Sequence, residues 1–128
     1  GNLINTFDII KNQFVLKNFT FNNIRSYLFY NNSLVVLKKN YIEFYNIQNG
    51  NLFFSIEIDK KIKKDSKIIK LITIKNKLHL FFNNGILLIL ENKKIDKIID
   101  LKIKNINNIY NLNNMLFINT TKGLTYIY

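Results

Sequence analysis

Short apolar runs alternate along the whole chain with polar clusters of Asn, Lys and Gly. Residues 32–58 show the pattern most fully: NSLVVLKKNYIEFYNIQNGNLFFSIEI. Three β-prone runs are separated there by Lys38-Lys39-Asn40 and by Asn49-Gly50. Asn-Gly between two such runs is a strong hairpin signal, because both residues tolerate the positive φ of a tight turn. The layout recurs over 76–103 with Asn84-Gly85 one turn earlier, and again, shortened, over 114–128. Superposing the copies places Leu34 on Leu78 on Met115, and Tyr41 on Ile86 on Leu124.

The runs predict strands over 24–30, 34–38, 41–46 and 52–58, then over 67–74, 77–82, 86–91 and 95–103. A third group follows near 109–112, 115–119 and 124–128. Ile95, Ile98, Ile99 and Leu101 partly fit a helical period, but the preceding turn and the β-branched content favour a strand. Alternation along 41–46 places Glu43 on an outer face. The opening 1–20 superposes on the second half of the 32–58 unit, with Leu3 on Tyr41, Phe7 on Tyr45 and Phe14 on Leu52. Its first turn falls at Lys11-Asn12-Gln13. A repeat of about 40 residues made of short strands is the signature of β-propeller blades. The expected fold class is therefore all-β, with four-stranded antiparallel meanders forming a partial propeller. Residues 1–128 form one repeat region in this reading: 1–20 the end of a blade, 21–64 and 65–106 two blades, 107–128 an incomplete one. Beginning in mid-blade, the chain reads as the C-terminal portion of a longer propeller, its N-terminal half supplied from elsewhere.

Composition changes the picture in two respects. Pro, Cys and Trp are absent, while Asn, Ile, Lys, Phe and Tyr are in excess; the abundant residues have A/T-rich codons. An AT-biased genome explains this most simply. Nineteen basic residues against eight acidic ones give a net charge of +11, a balance associated with nucleic acid or anionic surfaces. Yet Arg25 is the single arginine, and arginine is the residue suited to bidentate phosphate and guanine contacts. Lysine excess from codon bias and a selected basic surface both remain open. The basic residues concentrate in Lys60, Lys61, Lys63, Lys64, Lys67 and Lys70, a candidate partner-binding loop between blades.

Candidate chemistry is sparse. Without Cys there is no disulfide framework or thiolate metal site. The longest apolar run, 86–90, is far short of the roughly 18 residues of a membrane-spanning helix. His79, the single histidine, stands between Leu78 and Leu80 without a sequence-evident partner, so a structural role is expected. Glu57 with Asp59, or Asp96 with Asp100, are the carboxylate pairs that spacing permits, with solvated strand faces the plainer reading. Phe53, Phe54, Phe81 and Phe82 occupy regular places in the repeat and are expected in the core or between blades, although aromatics can also stack on single-stranded RNA. No P-loop, G-x-G-x-x-G or nucleophile elbow occurs.

Across 41–55, YIEFYNIQNGNLFFS, the sequence resembles the quinoprotein-type (PQQ-like) propeller repeat. Asn49-Gly50 stands at the family's Thr-Gly, Asn46 at its Asp and Phe54 at its Trp. The closing segments Met115-Leu116-Phe117 and 122–128, KGLTYIY, resemble the C-terminal end of the family's outer-membrane assembly members. The resemblance implies a non-catalytic scaffold that binds other protein subunits, in the manner of the bacterial outer-membrane β-barrel assembly machinery, at the periplasmic face of that membrane. Quinone-binding members use Trp, acidic calcium ligands and adjacent Cys. Trp and Cys are missing here, so no cofactor is expected and no enzyme. The alternative is a basic RNA- or ribosome-associated module from an AT-rich organelle or parasite.

Overall fold

The computed structural model describes residues 26–59, 62 and 65–127, and the backbone of 2–8 and 13–21. Lys11, Asn12, Ile24, Arg25, Lys60, Lys61, Lys63, Lys64 and Tyr128 lie outside the described residues, together with the expectations that fall on them. Among the described residues the regular structure is entirely β, and every strand pairing is antiparallel.

The chain divides into two compact units, Gly1–Ile58 and Asp59–Tyr128. The first holds a hairpin of β1 (Asn2–Asp8) and β2 (Gln13–Phe21), and a four-stranded meander of β3 (Ser26–Tyr30), β4 (Ser33–Leu37), β5 (Tyr41–Asn46) and β6 (Leu52–Glu57). The second holds the meander β7 (Ile68–Ile74), β8 (Lys77–Phe82), β9 (Ile86–Glu91) and β10 (Lys94–Asp100), followed by a three-stranded sheet of β11 (Ile106–Leu112), β12 (Met115–Thr120) and β13 (Thr125–Ile127).

Burial explains why the second strand of each four-stranded sheet is so apolar. Every residue of β4 is buried. Its even positions, Leu34 and Val36, cluster with Tyr45 and Ile47, while Val35 and Leu37 pair across the ladder with the buried Phe44 and Ile42. A strand covered on both faces must be apolar at successive positions, which is the continuous run LVVL. In the second unit Phe81, Leu87, Ile103, Ile106, Ile109 and Ile118 form one core joining the β7–β10 sheet to the β11–β13 sheet. Each such buried side chain contributes about 1.5–3 kcal/mol relative to exposure.

Four turns are two-residue hairpins in which both residues have positive φ: Asn31-Asn32, Lys75-Asn76, Asn92-Lys93 and Asn113-Asn114. That is the type I′ requirement, matching the twist of the flanking strands, and asparagine meets it at low cost. The Asn-Gly sites behave differently from expectation. At Asn49-Gly50 and Asn84-Gly85 only the glycine has positive φ. These loops are longer: Gly50 N–H donates to Asn46 C=O at 2.9 Å, and Gly85 N–H to Phe82 C=O at 3.1 Å. The Asn side chain caps each loop instead, Asn49 Oδ1 accepting from Asn51 N–H and Asn84 Oδ1 from Ile86 N–H.

Three local expectations need correction. The shared hairpin turn aligns Asn32, Asn76 and Asn114, so Leu34 and Leu78 correspond to Leu116, and Met115 to Ser33 and Lys77. A one-residue slip moves a side chain to the opposite face, and Met115 is accordingly exposed. Second, 95–103 is a strand only to Asp100, and a bulge at Asp96 puts Ile95 and Ile98 opposite Leu90 and Leu88 on one face. That bulge, an extra residue in one strand, is the source of the helix-like spacing. Third, Glu43 shares the Leu34–Val36 face, where its side chain is 12% exposed, because it opposes Val36 in the ladder.

Candidate functional site

Of the six lysines of the predicted basic loop, Lys67 and Lys70 are among the described residues. Lys67 is exposed at the start of β7, its backbone held by Asn83: Lys67 N–H donates to Asn83 Oδ1 at 2.8 Å, and Asn83 N–H to Lys67 C=O at 2.9 Å. Lys70 lies within β7. Its ammonium donates to the Ile109 carbonyl at 2.7 Å and sits 5.4 Å from the centre of the Tyr110 ring. It therefore ties β7 to β11 and is turned inward. A β-bulge lies between Ile68 and Lys70, the kind of irregularity that re-aims a side chain.

His79 lies between Ile72 and Ile89 in the ladder and stacks on Phe81 at 6.4 Å. Its Nδ1 is 3.0 Å from the Lys77 carbonyl. Desolvation is the largest influence on the ring and lowers its pKa below the ordinary 6.5. Of the acidic residues, Glu91 and Asp96 approach Lys77 Nζ at 2.7 and 3.8 Å, and Asp100 pairs with Lys102 at 2.9 Å. Glu43 accepts from Lys38 Nζ at 2.9 Å and from the Tyr45 hydroxyl. Burial and the neighbouring carboxylate hold the Tyr45 phenol well above its ordinary range. Among the described residues no group of three or more His, Cys, Asp or Glu side chains is gathered as a metal site, and no helix is long and apolar enough to cross a membrane.

The aromatics divide by strand position. Phe81 and Phe82 are buried, Phe54 is half-buried, and Phe53 is exposed on β6 while approaching Phe44 at 6.4 Å. The expectation of core packing thus fails for Phe53, because β6 is an outer strand of its sheet.

One apolar exposure, on the β11–β13 sheet, is not anticipated by the sequence pattern. Tyr110 and Leu112 of β11, opposite Phe117 and Met115 of β12, share one face with Ile127 of β13. Leu112 and Ile127 are 60% and 62% exposed. A shallow hollow of about 490 Å³ lies on this face, lined by Tyr110, Asn111, Leu112, Phe117, Asn119 and Thr125. The signal available in the sequence was parity: counting from Asn113-Asn114 sends Met115 and Phe117 to one side, Leu116 and Ile118 to the other.

No protein-family model and no curated protein matches the sequence. Solved structures do. The chain is similar to BamB from Moraxella catarrhalis, with a TM-score of 0.69 and 13% identity over 96% of this chain and 36% of that one. It is also similar to the computationally designed Ika4 protein, with a TM-score of 0.62 and 15% identity over 98% of this chain and 78% of that one. The chain thus spans about a third of BamB's length. At such identities the likeness is one of fold, and the fold is β-propeller-like: successive antiparallel meanders, each a sheet of three or four strands.

Proposed function

We propose that this protein is a non-catalytic scaffold module that binds other protein subunits. The observation that carries the reading is the match to BamB across nearly the whole chain. Two features of the surface agree with it. Several described ionisable side chains tie strands together, as Lys70 and Lys77 do, and most exposed large apolar side chains lie on outer strands and on the β11–β13 sheet. Such exposure marks interaction surfaces. The finer reading, a place in outer-membrane β-barrel assembly at the periplasmic face, rests on the PQQ-like resemblance of 41–55 and of the closing segment. In this reading Lys60, Lys61, Lys63, Lys64 and Lys67 would meet an acidic protein surface.

The test is capture of partners by the immobilised chain from an extract of its own cells, with and without nuclease, over a salt series. A defined protein complex that survives nuclease and moderate salt is the expected result. Retention that vanishes with nuclease and falls steeply with salt would overturn the scaffold reading and establish the RNA-associated alternative.

A further inference from the structure

We propose that Asn49 is a site of spontaneous deamidation, and that the fold protects the chain's other Asn-Gly pair, Asn84-Gly85, from the same reaction. The step is intramolecular. The glycine backbone nitrogen gives its proton to solvent hydroxide and bonds to the asparagine Cγ. The side-chain amide nitrogen takes a proton from water and leaves as ammonia, which closes a cyclic imide. Water then opens the imide at one of its two carbonyls, giving aspartate or isoaspartate. Asparagine and water thus yield a carboxylic acid and ammonia, with no further reactant. Glycine permits the attack because it has no Cβ to obstruct the approach.

Local geometry does not separate the two sites. In each, the asparagine Oδ1 accepts from the N–H two residues on, Asn51 at 2.9 Å and Ile86 at 3.1 Å. That bond folds the side-chain amide over the glycine and polarises its carbonyl. In each, the glycine has positive φ and its N–H donates to a backbone carbonyl. What separates them is the structure that must open before the glycine nitrogen is released. The bonds closing the Asn49 loop run within 46–51: Gly50 N–H to Asn46 C=O, Asn46 N–H to Asn51 C=O, and Gln48 N–H to Asn46 Oδ1. Gln48, Asn49 and Asn51 are exposed, so opening there is local and disturbs no core. The Asn84 loop is tied to remote segments instead. Gly85 C=O accepts from Leu101 N–H and Asn83 C=O from Ile106 N–H, both at 2.9 Å, and Asn83 bonds Lys67 in both directions. Gly85 is also buried, with the Ile103 carbonyl oxygen 2.1 Å from where a Cβ would stand. Reaction at Asn84 therefore requires 101–106 to separate from the loop, a loss of tertiary structure.

Aspartate at 49 keeps the acceptor for Asn51 N–H and lowers the net charge of +11 by one unit, so the product is a folded, less basic protein. Peptide mapping by mass spectrometry tests this on the intact chain, aged in mildly alkaline buffer with and without guanidinium chloride. Chromatography separates the aspartate and isoaspartate peptides of each site. In the folded chain, conversion at Asn49 should outrun that at Asn84 by about tenfold or more. In denaturant the two rates should converge, because both sites are then open Asn-Gly pairs. An Asn84 that keeps pace with Asn49 in the folded chain would overturn the proposal. So would an Asn49 that keeps its amide in the folded chain while converting in denaturant. A gap between the sites that persists in denaturant would place its origin in the flanking sequence, and would equally count against protection by the fold.

Discussion

Glycine 85 shows at the scale of one residue how tightly the second unit is closed. Its φ is +92°, it is buried, and a Cβ there would stand 2.1 Å from the Ile103 carbonyl oxygen. Gly123 has a comparable φ of +78° but faces open space. Gly85→Ala should therefore cost about 3 kcal/mol or more, since strain and a backbone clash combine. Gly123→Ala should cost only the left-handed penalty of about 1–2 kcal/mol. Urea titration of the two variants measures the difference; equal losses would mean that the Ile103 contact yields easily. His79 supplies a pH dependence of defined sign. Its folded pKa lies below 6.5 because the cationic ring is poorly solvated, so as pH falls the unfolded chain takes up the proton first. The stability linked to His79 is fully present above about pH 6.5 and is lost as pH drops from there through the folded pKa. Denaturation of wild type and His79→Gln at about pH 7.5 and about pH 5 should show the larger loss in wild type.

At the scale of elements, the sheets are held by ladders and the two sheets of the second unit by a few specific ties. Lys70 is the most telling of these. Its ammonium replaces water with the Ile109 carbonyl and the Tyr110 ring. Lys70→Met keeps the aliphatic length and removes the charge-assisted bond, so a loss of about 2 kcal/mol is expected. An unchanged denaturant slope would show that the loss is one of stability and not of compactness. Stability equal to wild type would mean that the ammonium gains as much from water as from β11. Strands themselves were legible at this scale: 41–46 was read to the residue, and 77–82 and 86–91 likewise. Turn types were not. Asn-Gly carries the strongest local signal for a two-residue hairpin, yet those turns fell to Asn-Asn, Lys-Asn and Asn-Lys, because ladder register decides how many residues remain to close each loop.

At the scale of the whole molecule, a charge of +11 sets how it meets other molecules more than how it folds. Salt separates the possible outcomes: partner binding through apolar faces persists or tightens with salt, while phosphate binding weakens steeply. The candidate surfaces were only partly visible beforehand. A run of lysines is conspicuous in a sequence, but Lys70 turns out to serve an internal carbonyl. The apolar face of β11–β13 is built from residues scattered over three strands, none conspicuous alone.

The sequence by itself determined the all-β class, the meander order and the places of most strands, because alternation, β-branched content and Asn-rich breaks are local properties of the chain. The tertiary structure alone decided which alternate positions became interior and which stayed open. Leu116 and Met115 are neighbours of similar apolarity, and only the hairpin register sends one toward the core and the other to solvent. The bulge at Asp96, the inward turn of Lys70 and the near-burial of Glu43 have the same origin. Each depends on the strand lying opposite, and pairing between distant segments is not encoded in either segment alone.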